Sequence, residues 1–169
     1  MDVLDAIDSR LEVREYRDEP VDLDTIRTIL TAGQQAPSGR NLQHWRFILV
    51  RDADTLATLA DRSPTGSWIA DADFAVVICT DPSLPYHDID AGRALTHMQL
   101  AAWALEVGSC IFTVDQPSVD DLLDIPADYH LSLVAGFGRP AADVIGRKDR
   151  VPLAEIAFSD RFGEPLSLD

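Results

Sequence analysis

Apolar residues recur along this chain with two different periods, and the changes of period mark out its elements. Val3, Leu4, Ile7 and Leu11 fall on one side of a helical wheel, which predicts a short amphipathic helix ending near Arg10. A charged segment, LEVREYRDEPV, follows. Asp22 then offers an N-cap to a second apolar stripe, Leu23, Ile26, Ile29 and Leu30, which Gly33 and Pro37 stop. Aromatic and branched residues crowd Trp45 to Arg51, as a strand requires, and a helix over Asp54 to Arg62 succeeds it. After the SPTGS loop, FAVVICTD is apolar without alternation, the pattern of a strand buried on both faces at the centre of a sheet.

From Asp88 to Glu106 apolar groups lie nearly all round the helical wheel, which predicts a buried helix, closed at Gly108. SCIFTV is a third strand. Ser118 is placed to cap a short helix, VDDLLDI, and LSLVAGFG reads as a fourth strand ending in a glycine turn. Beyond Arg150 the tail holds Phe158, Phe162, Leu166 and Leu168 without an evident partner in its own chain. No repeat or linker divides the sequence, so it predicts one domain over 1–169. Helices separate the strands at irregular spacing, which predicts an α+β fold: a mixed, mainly antiparallel central sheet of four to five strands, wrapped by helices.

Charge narrows the partners. The chain carries 29 acidic against 14 basic residues, a net charge of -15, and Lys148 is its one lysine. Such a surface repels nucleic acid. It suits a salt-rich interior, where screening shortens repulsion between carboxylates, although a preference for Arg over Lys at the level of codons explains the composition equally well. No apolar run approaches the roughly 20 residues of a membrane span, and the acidic N-terminus lacks the basic flank of a secretory signal. The expectation is a cytoplasmic protein. Cys79 and Cys110 lie in strand-like segments and read as inert thiols; without C-x-x-C or H-x-x-x-H spacing no metal site is expected. His97, on the apolar helix, reads as a hydrogen-bonded core residue, and His44 as an exposed loop imidazole.

Three clusters could carry chemistry. Arg10 and Arg14 flank Leu11 and Glu12, and forked guanidinium groups suit a phosphate or a ring carbonyl. Ala36 to Trp45 places Ser38, Asn41 and Gln43 between a helix end and a strand start, where a loop presents donors and acceptors together. Lys148 and Arg150 make a local positive site. Taken singly, each also fits an ordinary surface: ion pairs, a turn, a solvated exit from the core.

The order and separation of these clusters resemble the nitroreductase superfamily, whose members show R-x-S-x-R-x-F/Y, then E/P-V, A-P-S-x-x-N-x-Q-P-W-x-F, a helix ending G-x-G-S-C, and a final K-x-R. Arg10 to Tyr16, the EPV step, APSGRNLQHWRF, VGSC and Lys148-Asp-Arg150 match along nearly the whole chain. The resemblance implies bound FMN: Arg10 and Arg14 near its phosphate and pyrimidine edge, Lys148 and Arg150 on the phosphate, backbone contact at Leu11 and Glu12, and Ser38, Asn41 and Gln43 toward the flavin and its ribityl chain. It implies electron transfer from NAD(P)H to a small acceptor such as a nitroaromatic or quinone, by a ping-pong cycle without a catalytic side chain. A flavin-binding module without turnover, and an FMN enzyme of another type such as a reductive dehalogenase, stay open. The resemblance also implies a homodimer sharing its flavin sites; the apolar residues of the tail make 151–169 an arm expected on the partner subunit, with packing on its own subunit the competing reading. Glu12 departs from the family serine, and His44 from the family proline before Trp45.

Overall fold

The computed structural model describes residues 1–141 and 148–168. Its elements in chain order are α1 (Val3–Ser9), α2 (Leu23–Gln34), β1 (Arg46–Val50), α3 (Ala53–Asp61), β2 (Phe74–Thr80), α4 (His87–Ala104), β3 (Gly108–Phe112), α5 (Gln116–Leu122), β4 (His130–Gly138) and α6 (Leu153–Ile156). The strands form one sheet in the order β1-β2-β4-β3, every pair antiparallel. Among the described residues the parallel component is a single bridge between Glu12 and Ser109.

The unbroken apolar run of β2 is explained by its place inside this sheet. Phe74, Val76 and Ile78 face α2 and α4 in one core, whereas Ala75, Val77 and Cys79 face α3 and α5 in another. Period-2 geometry thus divides one strand between two cores. Phe74 stands opposite Phe137 of β4 with the rings stacked at 4.9 Å, which fixes the centre of the larger core. Gly33 of α2 lies against Met98 of α4; a Cβ there would meet the Met98 methyl at 2.2 Å.

Helix starts follow the aspartates. Asp22 and Asp52 each accept from the backbone N–H and the hydroxyl of the threonine three residues on, capping α2 and α3. The expected Ser118 cap is corrected: α5 begins earlier, after Asp115, with Pro117 in its first turn where a missing N–H is harmless. Gly108 also differs from expectation. Glu106, at φ 61°, takes the left-handed turn after α4, and Gly108 opens β3. Its lack of a side chain admits Val13, which a Cβ would meet at 2.7 Å.

Two helices are barer than their sequences predict. On α1 only Ala6 is buried, and Leu4 is 71% exposed. α4 buries the face carrying Asp90, Ala94, Leu95 and Met98, but Ile89, Thr96 and His97 are exposed. His97 is therefore a surface residue and not the core residue expected, because the wheel of α4 points it away from the sheet. No helix among the described residues is long and apolar enough to cross a membrane, and no group of three or more His, Cys, Asp or Glu among them could hold a metal ion.

Candidate functional site

The end of α1 sets the first part of the site. Arg10 is its C-cap, and from there the chain runs extended beside β3, tied by the Val13 N–H to the Ser109 carbonyl at 3.0 Å. Arg10 and Arg14 are thus not one helical turn apart; with Glu12 between them they alternate along one side of an extended segment. A cation at a helix C-terminus is favourable, and Lys148 adds a second by donating to the Ile7 carbonyl. Arg150 donates to the Asp149 carbonyl at 2.8 Å. Arg10, Lys148 and Arg150 line one cavity of about 500 Å³ with Thr96 of α4, between walls that include Ile7 and Leu100. Two of the clusters found in the sequence, separated by over a hundred residues, meet here.

Glu12 acts on that cavity through Arg10. Its carboxylate accepts from Arg10 at 2.6 Å and from the Ile111 N–H at 3.3 Å. Burial alone would raise its pKa, but the hydrogen bonds from Arg10, Cys110 and Ile111 and the Arg10 charge outweigh burial and leave it below the ordinary glutamate value. Glu12 is consequently a bound counter-ion of Arg10. The Cys110 thiol is pushed up to about 12, by burial first and then by Glu12, and burial takes Cys79 to about 11. Both thiols are buried and protonated at neutral pH, as the sequence suggested. Arg14 is close enough to Cys110 to favour its thiolate, yet it borders a different cavity, of about 650 Å³, with Arg17, Arg51, Asp71 and Asp73.

The third cluster sits elsewhere. Ser38, Asn41 and Gln43 occupy the loop from α2 to β1, where the Ser38 hydroxyl accepts from the Gln43 N–H at 3.0 Å and the Gln43 amide donates to the Asn41 carbonyl at 3.2 Å. Arg40, Asn41 and Gln43 have φ of 52°, 56° and 50°. The loop rests on the first turn of α4 through Asp90, while the basic cavity touches α4 at Thr96 and Leu100. At 1.5 Å per residue these footings are about 9 to 15 Å apart along the helix. One chain therefore gathers Arg10, Lys148 and Arg150, sets Arg14 on a neighbouring cavity, and meets the amide-bearing loop at the other end of α4.

His44 is the residue whose surroundings the sequence concealed. Expected as an exposed loop imidazole, it is buried and paired with Asp90 at 3.1 Å. Nothing local announces this, because Asp90 lies 46 positions away and reads as one more aspartate in an acidic chain. His87 and His130 bond Thr80 and Gln116 and stand edge to face at 5.5 Å.

The sequence model of the Nitroreductase family matches residues 7–81 and 63–139. An Archaeoglobus fulgidus protein provisionally named an NADH dehydrogenase/NAD(P)H nitroreductase is 31% identical over 147 residues, spanning 81% of this chain and 84% of that protein. A Bacillus subtilis FMN reductase [NAD(P)H] is 29% identical over 186 residues, covering 95% of this chain and 74% of the relative. Among solved structures, a Desulfovibrio desulfuricans protein, provisionally a nitroreductase and solved in complex with FMN, superposes with a TM-score of 0.82 at 32% identity, covering 96% of this chain and 98% of its own.

Proposed function

The chain belongs to the nitroreductase family, and from that premise we propose that it is an FMN-dependent oxidoreductase passing electrons from NAD(P)H to a small acceptor such as a nitroaromatic or quinone. The observation that carries the reading is the meeting of Arg10, Lys148 and Arg150 on one cavity in a protein of net charge -15. Lys148 and Arg150 bond backbone carbonyls, and among the described residues neither forms a salt bridge, so their charge is available to a phosphate. Relatives named for FMN and NAD(P)H support the same choice of cofactor and donor.

FMN held there would supply the redox chemistry, hydride and electron transfer between NAD(P)H and the acceptor in a ping-pong cycle. The protein's own residues bind and orient. Arg10, Lys148 and Arg150 would hold the phosphate, and Arg14 would bring positive charge to the pyrimidine edge, where negative charge gathers on reduction. Ser38, Asn41 and Gln43, held apart on their loop, would serve the flavin held mainly by the partner subunit. A homodimer also accounts for the bare faces: Leu4 and Ile7 on α1, Ile89 on α4, and Leu153, Ile156 and Phe162 of the 151–169 arm all await cover. The groove between α2 and β1, lined by Leu23, Leu30, Trp45, Phe47 and Leu49 with a volume of about 550 Å³, is a suitable seat for the arm of a second copy.

The test is an absorption spectrum of purified protein under argon before and after reduced nicotinamide. A yellow protein that bleaches, then regains colour as a nitroaromatic or quinone is reduced, is the expected result. Protein that is colourless and takes up no FMN in excess overturns the assignment.

A further inference from the structure

The loop carrying Ser38, Asn41 and Gln43 is held from below by a buried charge. Asp90, 1% exposed, accepts from the Gly39 N–H at 2.8 Å and from His44 Nε2 at 3.1 Å through one oxygen, and from Arg93 at 3.4 Å through the other. Nδ1 of His44 faces the backbone N–H of Asp81 at 3.4 Å. A ring nitrogen that accepts carries no proton, so the imidazole proton lies on Nε2, directed at Asp90. His44 itself is 8% exposed, with Trp45 beside it at 6.1 Å between ring centroids.

This clamp is matched to the loop it holds. Three non-glycine residues at positive φ are a costly backbone, each by about 1 kcal/mol or more, and such a conformation persists only where its surroundings enforce it. Gly39 lies flat against Tyr86, where a Cβ would meet the ring at 2.2 Å, so that its N–H reaches Asp90. The clamp thus grips both ends of the segment: Gly39 precedes the strained residues, and His44 follows them. A carboxylate this deep is expensive unless its donors are in place, so loop and clamp are mutually dependent.

We propose that His44 and Asp90 are positioning residues of the cofactor site, fixing the Ser38–Gln43 loop in the shape that offers its polar groups to the flavin. The inference rests on the function proposed above and goes beyond it, for His44 stands where the family motif has proline. Neither residue touches the phosphate cavity. The effect is therefore expected on the flavin and ribityl portion common to FMN and riboflavin.

The experiment compares wild-type protein with His44→Ala, Asp90→Asn and His44→Gln, which restores a donor near Nε2, with Ile29→Val in the core as a stability control. Thermal unfolding is measured beside dissociation constants for FMN and for riboflavin. His44→Ala and Asp90→Asn are expected to weaken both ligands about tenfold and alike. His44→Gln should recover most of that loss, and Ile29→Val should lower Tm without altering either constant. Equal affinity in His44→Ala and wild type, or no recovery in His44→Gln, overturns the positioning role while leaving the cofactor reading intact. Wild-type protein that binds neither ligand overturns the cofactor reading itself. If His44→Ala fails to fold, the near-isosteric Asp90→Asn and His44→Gln decide the question by the same two constants.

Discussion

Arg10 serves two anions, one inside the chain and one expected from outside. Its pairing with Glu12 at 2.6 Å keeps the guanidinium ordered, yet it also sets a negative charge beside the place proposed for a phosphate. Like charges a few ångströms apart at a protein surface repel by on the order of 1 kcal/mol. Glu12→Ser is therefore expected to tighten FMN binding roughly fivefold and to leave riboflavin, which lacks the phosphate, nearly unchanged. Equal changes for the two ligands in a binding titration would show that Glu12 acts elsewhere. The thiols allow a simpler check: with Cys110 pushed up to about 12 and Cys79 to about 11, iodoacetamide at pH 8 should label neither in the folded protein and both in denaturant. At this scale residue type and motif order pointed to Arg10, Lys148 and Arg150, and the fold sets all three on one cavity. The sequence was silent where burial depends on distant partners, so the surroundings of His44 and His97 came out reversed.

Elements were more legible than residues, since periodicity and caps are local. The β2 run and the Asp22 cap both lie where their patterns put them. Folding holds the Asp22 and Asp52 carboxylates below the ordinary aspartate value, chiefly through the hydroxyls of Thr25 and Thr55 and then their N–H groups. A depressed folded pKa means stability that is present above about pH 4 and lost as pH falls through the lower folded value. A double variant, Asp22→Ala with Asp52→Ala, should lower Tm at pH 7, and its gap from wild type should close in acid. Gly108 was misread because a glycine after a helix usually marks a turn, and nothing nearby reveals that Val13 will lie against it. A Cβ at 2.7 Å from Val13 must push the 10–16 segment from β3. Gly108→Ala should cost about 1–3 kcal/mol in denaturant unfolding and loosen FMN, because that segment carries Arg10 and Arg14.

For the molecule as a whole, the sequence disclosed the α+β layering but could not show which faces a single chain leaves bare. α1 is amphipathic as predicted, but its apolar side looks outward, with Phe162 of the arm 94% exposed. If two copies cover these surfaces, light scattering should report twice the chain mass, and deletion of 151–169 should give monomers that bind FMN weakly. A dimer concentrates carboxylates further. Raising salt from about 0.1 M to 1 M shortens the screening length from about 10 Å to 3 Å, so Tm and dimer content should rise together.

Trp103, on the last turns of α4, donates from its indole to the Ser9 hydroxyl at 2.8 Å and so pins α1 to the long helix. It lies one turn beyond Leu100, a wall of the basic cavity. A native fluorophore therefore stands near the proposed phosphate seat of a nucleotide whose yellow ring system absorbs where indoles emit. Loading and release can be timed by the dimming and return of ultraviolet-excited light, with no label attached.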